Sequence, residues 1–318
     1  MLFRTPLRIS STGDNEPART LPAFVWRMSG FHQFVVVGLA LLVAGLTVVP
    51  LELQRRIIDD ALMQSDKELF LSLALLFLGA ILASACFKLG LKLYQGWLAE
   101  SAINYCRAHL ESFGGEERET GGDGNGTKVS IVINEIESVG GFVGDGFSDP
   151  AAQIGILVAV STYMTVVEPM IALVCIGFLG PQVIIVPMIQ RKLNALIEER
   201  VERLRALSDV VAAGGCDPDG TFGDQNAALF RNRMLYFLWK FVSKALINFL
   251  NALAPLLVLV IGGWMVVEGE TEIGVVVAFI SGFAKMSDPL RELIAYYRLY
   301  AQTSVKHALI AEWMRAHV

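Results

Sequence analysis

Apolar residues fall along this chain in long blocks, separated by charged stretches of very unequal length. Five blocks carry no charge at all: Phe34–Leu51, Leu69–Phe87, Pro150–Val167, Pro169–Ile189 and Ala245–Val267. Each meets the roughly 17–25 residues that a helix needs to cross a bilayer. A sixth block, Ile273–Ala284, is only 12 residues long before Lys285 interrupts it. At 1.5 Å per residue it covers about 18 Å of a hydrocarbon core roughly 30 Å thick. If it spans, its lower part must be shielded from lipid. The predicted fold is therefore all-α, a polytopic membrane protein of six transmembrane helices with long helical extensions.

The connections between blocks orient the spans, because inner loops collect Lys and Arg. Glu168 alone separates the third and fourth blocks, and Glu268, Glu270 and Glu272 separate the fifth and sixth. The segment between the fourth and fifth carries Arg191, Lys192, Arg200, Arg203, Arg205, Arg231 and Arg233, and the segment between the second and third carries Lys88, Lys92, Arg107, Arg118 and Lys128. Only the first outer connection dissents, with Arg55, Arg56 and Lys67 in about 17 residues. Both termini are expected in the cytoplasm and the protein in the cell's inner (plasma) membrane. Residues 189–211 keep helical spacing without a breaker, so span four should continue well below the bilayer.

Composition agrees. Of 318 residues, 54% are hydrophobic and 18% charged, with mean hydropathy +0.52; soluble domains carry about 25% charged residues. The net charge of −5 gives no sign of nucleic-acid binding. Four scattered cysteines form no C-x-x-C pair, which argues against disulfides and structural zinc, and no metal site is expected. Residues 1–30 hold arginines but no signal-peptide core, and LPAFVWRMSGF at 21–31 reads as a short amphipathic helix at the membrane surface or as an ordered tail. Residues 31–318 read as one six-helix unit.

Several segments, taken in order, resemble the transmembrane domain of type-1 ABC exporters. PLELQRRIIDDAL (50–62) resembles the family's Pro…Ile-Ile-Asp segment after the first span, and NGTKVSIVINEIESV (125–139) its stretch rising into the third. GETEIGVVVAFISGFAKMSDPLREL (269–293) is similar to the family's Gly-x-hydroxyl-x-Gly, apolar run and Pro-Leu. YAQTSVKHALIAEWM (300–314) resembles the helix leading to the nucleotide-binding domain. The resemblance covers roughly residues 20–315. It implies an elbow helix, a homodimer or paralogous heterodimer, and alternating access powered by an ATPase subunit that binds ATP and magnesium on another chain. No Gly-Lys dipeptide occurs, so a P-loop is excluded here, and the chain is expected to hold no cofactor and to be no enzyme.

Where the family carries coupling helices at its inner loop tips, this chain reads SFGGEERETGGDGNG (112–126) and AGGCDPDGTFGDQ (213–225). Glycine costs a helix about 1 kcal/mol and proline about 3, so neither tip should form a stable helix unaided. Glu116, Glu117, Arg118, Asp217, Asp219 and Phe222 are the partner-docking candidates, with an unpartnered loop as the plainer reading.

Polar residues within or beside the spans supply the remaining candidates. Lys285 and Asp288 are one turn apart, as are Asp288 and Arg291, so charges can pair along span six. In the family that span lines the translocation route, and a water-filled cavity would relieve Lys285. Lys88 with Lys92, and Lys240 with Lys244, sit at similar inner depth. They either complete a basic cavity for an anionic head group or substrate, or snorkel to the phosphate layer. Asn248 and Asn251 either contact substrate or hydrogen-bond within the bundle. Gly140 and Gly144 form a small-x-x-x-small pair. No carboxylate pair on a shared face of a span emerges. The leading function is the membrane-spanning subunit of an exporter-type ABC transporter embedded in the lipid bilayer. The alternatives are a non-transporting structural or regulatory subunit of a larger membrane complex and a truncated full exporter.

Overall fold

A computed structural model describes residues 5–7, 9, 18–114, 125–212 and 221–316. Among them every regular element is helical. α1 (Leu21–Ser29) is followed by α2 (His32–Leu46), α3 (Val49–Arg56) and a π-helical segment, Ile57–Leu62. Then come α4 (Lys67–Gly114), α5 (Asn125–Asp145), α6 (Ser148–Val167), α7 (Pro169–Ala212), α8 (Thr221–Glu268) and α9 (Ile273–Ala316). Six helical stretches are long and apolar enough to cross a membrane: His32–Leu62, Lys67–His109, Glu135–Val167, Pro169–Ser208, Gly223–Glu268 and Ile273–Glu312. This is a multi-pass membrane protein.

The extensions are as long as the charge spacing suggests. α4 and α8 each hold 48 residues and α7 and α9 each hold 44, or about 65–70 Å at 1.5 Å per residue, roughly twice the hydrocarbon thickness. α7 runs through Arg191–Arg205 without interruption, and helix continues through Pro181, Pro187, Pro255 and Pro289.

The connection after the first span is not the 17-residue loop that the charges suggested. Helix persists to Leu62, and only Met63–Asp66 turn before α4 begins. The charges are absorbed locally, since Glu52 binds both Arg55 and Arg56. The Asp66 carboxylate then caps α4, accepting the backbone N–H groups of Glu68 and Leu69, each at 3.0 Å.

The described residues pack as two compact units. The first combines Met1–Val166 with Ile273–Val318, and the second is Val167–Glu272. In the first, α1 packs Leu21, Val25 and Met28 against Ala102 on α4 and Val139, Phe142 and Val143 on α5. Gly144 lets α5 close on α4, because a Cβ there would strike the backbone carbonyl of Gln95. At Gly140 it would strike the Ile103 side chain. In the second unit α7 and α8 form an antiparallel pair. Lys192 lies 4.3 Å from the centre of the Trp239 ring, and Asn232 donates to Glu199 at 3.0 Å.

Candidate functional site

The lower part of the first unit brings together polar groups that are remote in sequence. Lys92 on α4 pairs with Asp149 at the start of α6, at 3.1 and 3.3 Å to its two carboxylate oxygens. One turn further along α4, Gln95 donates to the same carboxylate at 2.9 Å and to the Ser148 hydroxyl at 2.6 Å. Gln95 is buried, and its Oε1 accepts no hydrogen bond within the structure. Asp145, a turn before Asp149, feels the charges of both Asp149 and Lys92 and acts in turn on Tyr296 of α9. Tyr296 stacks on Phe142 with ring centres 6.1 Å apart.

Two lysines stand higher in the same unit. Lys285 on α9 is half-buried, and the charged group that bears on it most is Lys88 of α4. Lys88 itself is exposed. Neither has a carboxylate partner among the described residues. Asp288 is exposed and takes Arg291, so the second of the two expected pairings on span six forms and the first does not. Lys92, through Asp149, is tied down in a way that neither the snorkelling nor the cavity reading anticipated.

The candidates on span five separate. Asn251 accepts from Gln182 of α7 at 3.1 Å, which is the intra-bundle hydrogen bond of the two expected alternatives. Asn248, Lys240 and Lys244 are exposed along α8. Of the partner-docking candidates, Glu116, Glu117, Arg118, Asp217 and Asp219 lie outside the described residues. Phe222 is placed by its backbone alone, in the first turn of α8.

The opposite end of the first unit holds a second polar cluster. The Glu52 carboxylate accepts from Arg55 at 2.9 and 3.0 Å, from Arg56 at 2.7 Å and from the Tyr163 hydroxyl of α6 at 3.1 Å. Two turns on, the buried Asp59 accepts the backbone N–H of Gly274 at 2.6 Å, tying the π-helical segment to the start of α9. The two segments concerned, 50–62 and 269–293, are among those that carried the family resemblance. Their meeting point was not legible, since 215 residues separate Asp59 from Gly274.

No family model matches the chain. Among curated proteins it is similar to the putative multidrug export ATP-binding/permease protein YgaD of Bacillus subtilis (strain 168), with 23% identity over 264 residues. The matched region is 76% of this chain and 45% of that protein, so the chain spans about half the length of the curated relative it matches.

Proposed function

We propose that this chain is the membrane-spanning part of an exporter-type transporter, forming half of a substrate route and driven by ATP bound with magnesium on a separate ATPase subunit. A second copy or a paralogue would supply the other half. Both termini would lie in the cytoplasm, beneath the cell's inner membrane.

Two lysines carry this reading, Lys285, half-buried on α9, and Lys88, exposed on α4, neither with a carboxylate partner among the described residues. Span one starts at His32, which packs against Tyr94 and Trp97 of α4. These aromatics suit the head-group level of a bilayer. From Trp97 back to Lys67 is 30 residues of helix, about 45 Å and thus the thickness of a bilayer with both head-group layers. Lys88 then lies about 13 Å inside, past the head groups. A lysine costs about 2.5–3.5 kcal/mol at a helix centre in lipid, and two that repel each other cost more. Water between α4 and α9 relieves both, and an anionic group passing between them is attracted. The likeness to an ATP-binding/permease protein supports the same reading, as do helices that reach far beyond the bilayer.

The test is purification from native membranes with identification of every chain that co-purifies. A stoichiometric ATPase subunit whose turnover rises on reconstitution into liposomes supports the proposal. Co-purification with a different membrane complex, with no ATPase chain, supports a structural subunit and ends it.

A further inference from the structure

Thr5, Leu7 and Ile9 do not trail away from the bundle. The Thr5 carbonyl accepts the indole N–H of Trp97 at 2.9 Å, and the Leu7 backbone N–H donates to the Ser101 hydroxyl at 3.0 Å. Ser101 in turn donates to the Trp97 carbonyl at 2.6 Å, so its oxygen is free to accept. Trp97 and Ser101 are one turn apart on α4 and bind two points of the backbone at Thr5 and Leu7. Leu7 seats against Val36 and Ala40 of α2 and Leu91 and Leu98 of α4. Ile9 seats in the adjoining cluster beside α1.

The seat lies at one depth of the bundle, fixed by its neighbours. His32, the first residue of α2, shares a 2.6 Å hydrogen bond with Tyr94, and Trp97 stacks beside both. That level is where span one enters the bilayer. The groove therefore offers an indole N–H donor at head-group depth and an apolar seat leading toward the hydrocarbon. Thr5 and Leu7 fill it with a carbonyl and a branched alkyl group two residues further on. A glycerophospholipid presents the same pair, an ester carbonyl at the head of an acyl chain.

The strap is also weakly held. Thr5 and Pro6 are exposed, Leu7 and Ile9 are only half-buried, and Pro6 has no N–H to add. Two hydrogen bonds and two half-buried side chains stand against the backbone entropy of ordering this segment, which brings docking close to balance.

We propose that Thr5, Pro6, Leu7 and Ile9 belong to a releasable strap that occupies, in cis, a groove between α2 and α4 which accepts a phospholipid acyl chain from the adjoining leaflet when the strap leaves. The inference goes beyond transport and holds whether or not the protein moves a substrate.

Its test uses the full chain with Trp97 as the only tryptophan, the other four changed to phenylalanine, in vesicles of phosphatidylcholine brominated near the carboxyl end of its acyl chains. With the strap intact, Trp97 fluorescence is weakly quenched. Leu7→Asp and removal of residues 1–9 raise the quenching severalfold, and Ser101→Ala raises it part of the way. A synthetic peptide of residues 1–10 added to the shortened protein restores protection. Equal quenching in the intact and strap-released proteins overturns the proposal, as does a peptide that protects none of them. The point variants keep the test open where the shortened chain does not fold.

Discussion

Asp59 and Gly274, 215 residues apart, meet in a 2.6 Å hydrogen bond at which a carboxylate in the π-helical end of span one caps the start of span six. The fit is steric as well as polar. A Cβ on Gly274 would fall inside the Asp59 carboxylate and against the Arg55 carbonyl. Gly274→Ala is expected to lower the thermal midpoint of the detergent-solubilised protein by several degrees, and by more than Asp59→Asn does. Loss of a cap costs about 1 kcal/mol, whereas the alanine forces the segments apart and loses the cap as well. Fluorescence-detected size exclusion after heating gives the ranking, and an unchanged midpoint for Gly274→Ala would contradict the close fit.

A second pair of glycines offers an internal control. Gly144→Val should separate α4 from α5, because Gln95 backbone already occupies the space. Gly141→Ala should be nearly silent, since its Cβ would meet nothing within 4 Å. A yield of folded, monodisperse protein that falls for Gly144→Val and holds for Gly141→Ala is the expected result. Equal behaviour would mean the helices do not meet there.

Glu52 explains why two arginines can sit at the end where inner-loop charge is otherwise absent. Its carboxylate binds both, and Tyr163 as well. Arg56, at 53% exposure, is the dispensable partner; Arg56→Ala should cost no more than about 1 kcal/mol. Glu52→Ala leaves the half-buried Arg55 without its main acceptor and should cost about 2 kcal/mol, within the range for hydrogen bonds to charged groups. Urea or heat titration of the two variants side by side checks the order.

Span identity and helix reach were legible in the sequence because both depend on composition and local period. The six apolar blocks all became helices, and the unbroken helical spacing below Ile189 became the lower half of α7. The close approach at Gly140 and Gly144 was legible for a similar reason, since small residues four apart mark one face. What stayed hidden were pairings across sequence distance. Lys92 with Asp149 and Asp59 with Gly274 depend on which helices become neighbours, and no local pattern carries that. The turn after the first span was overestimated because charge was taken as loop, whereas Glu52 lets helix carry three charges in one turn. Lys285 was singled out by its position, but Lys88 as its counterpart needed the fold.

The lysine pair also separates stability from function. Lys285→Glu replaces repulsion from Lys88 by attraction, so the folded protein should gain a little stability. That gain should vanish when Lys88→Ala is added, because the double change removes the partner. Transport or anionic-lipid binding should fall in the same variants. A stability change that is indifferent to Lys88 would mean the two residues do not interact.

The most direct test of a water-filled route is the chemistry of position 285. With the four native cysteines replaced by serine, Lys285→Cys is treated in inside-out vesicles with membrane-impermeant methanethiosulfonates of opposite charge. A route lined by Lys88 predicts modification of Cys at 285, faster with the anionic reagent than with the cationic one, and loss of that preference when Lys88→Ala is added. A thiol that stays unmodified by both reagents, in protein that labels fully once denatured, would place position 285 against lipid or packed protein and contradict the transport reading.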